Sequence, residues 1–271
     1  MRETGAVTDD HQASGNHDDG QEPTPDTRLV FVRHGHARAV DTGVVAGHRG
    51  CTGLSGLGRR QAEALRDRLV AAGFRADAAV TSVLPRAIET AEIVAPAVRA
   101  DTDIRPGPSA GPSADPGNIP HLCDLCERHP GEGDGLTWDD FVERYGAIDP
   151  IDDPDRPMSP GGESYRAFRS RVEQAVARLA ERYAGRTVLL VSHGGVILAT
   201  TLNLLGLGPR WFSHDLQNTS LTEWVRDRDG RWLLHRFNDA AHLETLGTPI
   251  AARTATAPLA PSGNDGGSLR P

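Results

Sequence analysis

Two short apolar runs in this chain stop at the same punctuation. Leu29-Val30-Phe31-Val32 ends at Arg33-His34-Gly35, and Thr187-Val188-Leu189-Leu190-Val191 ends at Ser192-His193-Gly194-Gly195. A run of large apolar side chains without polar alternation is what a strand covered on both faces requires, and such strands belong to parallel sheets. In open α/β sheets, ligands bind at the carboxyl ends of the strands. The pattern therefore predicts that His34 and His193 meet on one rim of a helix-covered sheet.

The intervening segments fit that frame. From Ser55 to Gly73, the residues Leu57, Ala62, Leu65, Leu69 and Val70 recur at helical spacing, with Ser55 as N-cap and Gly73 as stop. Ala78–Ser82 reads as a strand, followed by a helix from Pro85, where proline suits a first turn, to Val98. Helical periodicity returns over Gly161–Tyr183 and Val196–Leu205. Leu221–Val225 and Trp232–Phe237 read as strands joined by a turn at Asp229-Gly230. The alternation predicts a three-layer α/β/α sandwich with a mostly parallel central sheet.

Residues 101–160 break the rhythm with prolines and glycines, have one helical piece at Trp138–Tyr145, and read as a cap-like insertion over the site. Residues 1–27 and 249–271 hold few large apolar side chains. They are expected to be a disordered leader and tail around a folded domain at 28–248.

A formal charge of −8 argues against nonspecific nucleic-acid binding, which needs a basic face. No apolar run approaches the roughly 18 residues of a membrane span, so neither nucleic acid nor membrane is an expected partner. Cys51, Cys123 and Cys126 are too few and too uneven for a disulfide framework, and the start of the chain has no apolar signal core, so the cytoplasm is the expected location. Nothing in the pattern indicates an oligomeric state.

Arg33 adjoins the first histidine, and Arg86 opens the helix after the second strand. Guanidinium forks hold phosphoryl oxygens bidentately, and a neutral imidazole can attack phosphorus in line. Such a set needs neither metal nor cofactor and takes a small-molecule phosphate ester as its partner.

These residues resemble the histidine phosphatase superfamily, also called the phosphoglycerate mutase-like family, over most of Leu29–Asn238. The likeness rests on Leu29-Val30-Phe31-Val32-Arg33-His34-Gly35, on Gly53-Leu54-Ser55-Gly56-Leu57-Gly58-Arg59-Arg60-Gln61-Ala62, on Thr81-Ser82-Val83-Leu84-Pro85-Arg86-Ala87-Ile88-Glu89-Thr90-Ala91 and on Ser192-His193-Gly194-Gly195. The resemblance implies that His34 is the phosphorylated nucleophile, that Arg33, Arg86 and His193 bind the phosphoryl group, and that His193 takes part in catalysis. Leu125-Cys126-Glu127, followed by Gly131 to Thr137, aligns with the family's acid loop and implies Glu127 as proton donor.

Two departures stand out. His36-Ala37-Arg38 replaces the glutamate and Ser/Thr that commonly follow Arg-His-Gly, which marks the substrate side as atypical. Gly133 replaces a bulky residue, which predicts a looser acid loop.

His121-x-Cys123-x-x-Cys126-x-x-His129 has spacings like those of a zinc cluster. Glu127 lies inside it, and a metal there would hold the acid away from its task. The expectation is that the cysteines pack inward and that no metal is bound. Asn218 is read as a support for the catalytic loop, while Arg38 and His48 are weighed as contacts to substrate against solvated loop charges.

The resulting expectation is a metal-independent phosphatase, a phosphoric monoester hydrolase working through phosphohistidine on His34. Its rivals are phosphoglycerate mutase-type phosphoryl transfer and a noncatalytic phosphate-sensing relative.

Overall fold

The computed structural model describes residues 25–98, 119–209 and 215–246. Most of the expected leader, the expected tail and residues 101–118 of the cap-like insertion lie outside these. The elements run β1 (Thr27–Arg33), α1 (Arg38–Thr42), α2 (Gly56–Ala71), β2 (Ala78–Thr81), α3 (Pro85–Val98), α4 (Trp138–Tyr145), α5 (Tyr165–Arg182), β3 (Thr187–Ser192), α6 (Gly194–Leu204), β4 (Leu221–Arg226) and β5 (Trp232–Asp239). Short 3-10 turns occupy Cys123–Leu125, Gly131–Gly133 and Ala241–Leu246. Thr27, placed in the leader by composition, is the first residue of β1, and its Oγ1 accepts a bond from Gly185 N at 2.9 Å.

The strands form one sheet in the order β2-β3-β1-β4-β5. β2, β3 and β1 are parallel, whereas β1/β4 and β4/β5 are antiparallel, so the sheet is mixed, with four of its five strands running one way and β4 alone reversed. The reason is local. The chain returns to the sheet at the carboxyl end of β1, where Thr219 N donates to Arg33 O at 3.0 Å, and a strand starting there must run back against β1. The tight turn between β4 and β5 then imposes a second reversal.

Alternate β1 side chains serve two cores, as the period of two demands. Val30 and Val32 join Ala62, Leu65 and Leu69 of α2 and Ala87, Ala91 and Val94 of α3. Leu29 and Phe31 join Phe168, Val172 and Val176 of α5 and Val196 and Ile197 of α6, with Trp224 of β4 closing the layer. Each fully buried large side chain contributes about 1.5–3 kcal/mol, so these two cores fix the three layers. Ser55 and Ser164 start α2 and α5 as N-caps, their hydroxyls accepting from Gly58 N and Ala167 N.

A smaller core joins Phe141, Ile148 and Met158 to Val45 of the segment after α1. Gly133 is not a loose point in it. The Phe141 ring occupies the space that a side chain there would need, lying 2.3 Å from the position of a Cβ. The bulk that sequence comparison found missing is supplied by α4 instead.

Candidate active site

β1 and β3 are parallel neighbours, with Arg33 opposite Ser192, and each strand hands directly to its histidine. His34 N donates to Ser192 O at 2.9 Å, and the His34 and His193 rings lie 5.1 Å apart between centroids. Both are buried. The turn at Gly35 is pinned by its N–H to Thr90 Oγ1 at 3.1 Å, and a Cβ on Gly35 would lie 2.5 Å from Gly58 O. Only glycine lets the backbone approach the start of α2 so closely.

The hydrogen bonds of His34 assign its tautomer. Nδ1 lies 2.7 Å from Gly35 O, which can only accept, so Nδ1 carries the proton. Nε2 therefore presents its lone pair, which receives Arg86 Nε–H at 3.0 Å. Burial, then the Arg86 and Arg33 guanidinium groups, hold the His34 imidazole well below its ordinary range. A ring in this setting is neutral near pH 7, as a nucleophile must be.

Arg86 is anchored by Nη1 to Ala46 O at 2.7 Å, and Arg33 by Nη1 to Leu216 O. Asp215 lies 3.9 Å from Arg33, while Arg33 Nε is buried with no hydrogen-bond partner among the described residues. His193 Nε2 shares a 2.7 Å bond with Ser82 Oγ, and its buried Nδ1 likewise has no partner there. Burial, Arg86 and His34 lower its pKa well below the usual value. A buried donor without an acceptor costs about 1–3 kcal/mol, a cost that a bound anion accepting from it would relieve.

Glu127 reaches the same rim. Its Oε2 accepts from Gly195 N at 2.9 Å and its Oε1 from Arg128 N at 3.0 Å. A Cβ on Gly195 would lie 2.1 Å from Oε1, so this glycine makes the space in which the carboxylate sits.

Asn218 supports rather than lines the site, its Nδ2 donating to His34 O at 3.0 Å. Beside it, Thr219 holds φ 57° and bonds His242 Nε2 through Oγ1 at 2.8 Å. Arg38 is exposed and donates to Thr52 O. His48 lies 3.6 Å from Cys123 Sγ, beside His129. His36, where the chain departs from the usual signature, is tied to α2 through Gln61 Oε1 and the Ser55 hydroxyl.

Sequence reasoning missed Ser82, Thr90 as a pin, and Arg171. The Arg171 guanidinium, paired with Glu163 at 2.7 Å, also donates to the carbonyls of Cys123, Asp124, Cys126 and Glu127. It shapes the acid loop from α5, and no local pattern announces it. The expectation of inward-packed cysteines holds for Cys126, which is fully buried with Cys51 and Leu84, but Cys123 is exposed.

Among known proteins, the model of the histidine phosphatase superfamily (branch 1) matches residues 29–107 and 114–240. A metal-independent phosphoserine phosphatase of Arabidopsis thaliana is 29% identical over 225 residues, covering 82% of this chain and 85% of its own. The adenosylcobalamin/α-ribazole phosphatase of Escherichia coli is 31% identical over 180 residues, covering 66% of this chain and 80% of its own. Among solved structures, phosphoserine phosphatase from Entamoeba histolytica in complex with 3-phosphoglyceric acid superposes with a TM-score of 0.62 at 25% identity, covering 80% of this chain and 99% of that one.

Proposed function

The chain belongs to the histidine phosphatase superfamily, and we propose that it hydrolyses a small phosphomonoester with His34 as the residue phosphorylated. The observation that carries this reading is the paired geometry of His34: proton on Nδ1 toward Gly35 O, lone pair on Nε2 facing the Arg86 guanidinium at 3.0 Å.

The phosphoryl oxygens would be held by Arg33, Arg86 and His193 Nδ1. His34 Nε2 forms a bond to phosphorus as the ester P–O bond breaks, and Glu127, carrying a proton, delivers it to the leaving alkoxide. Water then attacks the phosphohistidine, Glu127 takes its proton, the P–N bond breaks, and inorganic phosphate leaves. Acid–base assistance of this kind is worth about a hundredfold to ten-thousandfold. All charge stabilisation comes from fixed cations and N–H groups, so no metal enters the chemistry.

Phosphate esters that carry a carboxylate are the substrate class favoured by similarity, since relatives act on phosphoserine or hold 3-phosphoglyceric acid. The α-ribazole phosphatase relative supplies the contrasting class. No described helix is long and apolar enough to cross a membrane.

Rapid quenching of the full chain with phosphorus-labelled phosphoserine, 3-phosphoglycerate and α-ribazole phosphate, without added metal, tests both parts. An acid-labile, alkali-stable phosphoprotein is expected in wild type and is lost in His34→Ala together with phosphate release. Equal turnover in the two proteins would overturn the role of His34, and turnover of α-ribazole phosphate alone would overturn the carboxylate class.

A further inference from the structure

We propose that His48, Cys123, Cys126 and His129 form a closed, four-ligand zinc site that fastens the Glu127 loop to the segment following α1. The ligand atoms of these side chains all lie within 4.8 Å of one another. Cys123 Sγ is 3.6 Å from His48 Nε2 and 3.5 Å from His129 Nε2. With Zn–S near 2.3 Å and Zn–N near 2.0–2.1 Å, the sulfur–nitrogen edge of a tetrahedron is about 3.6 Å. Both imidazoles thus already stand at ligand spacing from one sulfur. Two soft sulfurs with two imidazoles are the donor set that selects zinc over the harder divalent ions.

The backbone beneath is held in place. Cys126 N closes a turn onto Cys123 O at 2.9 Å, and Arg171 gathers the carbonyls of that turn. His129 is clamped on both sides by Glu163, whose N–H donates to His129 O at 2.8 Å and whose carboxylate accepts from His129 N at 3.3 Å. The loop around His48 is fixed by the Asp134 carboxylate, which accepts from Gly47, Arg49 and Gly50 N–H at 2.8–2.9 Å. The ligands come from two segments far apart in the chain, and both are braced.

His48 replaces His121, which the spacing in the sequence had suggested. His121 instead bridges to Thr81 beside the sheet. The objection that a metal would draw Glu127 away also falls, because Glu127 Oε2 is held by Gly195 N at 2.9 Å while the four ligand atoms already lie within 4.8 Å of one another without its carboxylate. Four protein ligands leave no open position, so the ion activates no water and does not enter the phosphoryl chemistry. On binding, each cysteine thiol releases its proton to solvent as the metal–sulfur bond forms. The zinc would hold the acid loop as a rigid strap, and Ser82 Oγ, which lies 3.6 Å from Cys126 Sγ and 2.7 Å from His193 Nε2, would join it to the phosphate pocket.

The test reads metal directly and uses no substrate, so its failure is distinct from failure of the phosphatase reading. The full chain, purified without a histidine tag or chelator, is analysed for metal. The metal-free protein is then titrated with zinc and with cobalt(II). Wild type should hold one zinc per chain, and cobalt should give a thiolate charge-transfer band with intense tetrahedral visible bands. His48→Ala and Cys123→Ser alter exposed side chains, so the fold should survive, and each should weaken zinc by more than the roughly 100-fold that loss of a mere supporting partner can reach. Absence of stoichiometric zinc and of the cobalt bands in wild type, zinc affinity in both variants equal to that of wild type, or a Cys123–Cys126 disulfide in the freshly purified protein would each overturn the proposal.

Discussion

Arg86 Nε donates to His34 Nε2 at 3.0 Å, so the atom assigned to attack phosphorus is oriented by the cation assigned to receive phosphoryl oxygens. One contact across 52 residues joins the end of β1 to the first turn of α3 and helps to orient the imidazole.

Arg86→Lys keeps a positive charge but loses the planar fork that spans His34 and Ala46 O. We expect kcat/KM to fall by about 10²–10³, in line with the loss of one preorganised donor. Steady-state kinetics of the variant checks this, and a change under tenfold would remove Arg86 from the phosphate pocket.

Gly195→Ala would place a Cβ 2.1 Å from Glu127 Oε1 and displace the carboxylate. kcat should drop toward that of Glu127→Gln, by about 10²–10⁴, with the fold intact. Because both changes act on one group, the double variant should be little worse than either single one, and additive losses would contradict the shared role.

Arg171→Met leaves the part-buried Glu163 carboxylate without its guanidinium partner and frees the carbonyls of the acid loop. Because the pair keeps some contact with solvent, the loss read from urea denaturation should stay below the roughly 3–5 kcal/mol of a fully buried pair. kcat should fall with it, since Glu127 loses its brace. A loss of stability with unchanged kcat would make the residue purely structural.

The imidazoles of His34 and His193 are held well below their free value by burial and by Arg86, with Arg33 adding to both. Burial and Arg68 likewise lower His242, to about 4. Below the free histidine value near 6.5, the unfolded chain binds more protons than the folded one. Stability from these groups should therefore rise as pH increases to about 6.5 and then level off. Histidine-selective nitrogen NMR should show both site imidazoles neutral at pH 6, whereas protonation of either ring with a midpoint near 6.5 would contradict the burial argument.

Much of this was determined by the sequence alone. The limits of α3 and α4, the cap at Ser55 and the two strands ending in histidine follow from local periodicity and turn residues, and the five residues proposed for chemistry are those that the family resemblance implies. Such features depend on neighbours within a few positions, where propensity and pattern act directly. Other features depend on residues far apart in the chain. The reversed direction of β4 follows from where the chain re-enters beside β1, and the Phe141 ring that fills the space over Gly133 belongs to another element. Arg171 is one more arginine in an amphipathic helix until packing brings its guanidinium to the carbonyls of the acid loop. His48 stands 75 residues from the cysteine it faces, and only folding brings its imidazole to that sulfur. The sequence wrote the strand ends and the chemistry placed on them, and long-range packing chose which side chains stand behind that chemistry.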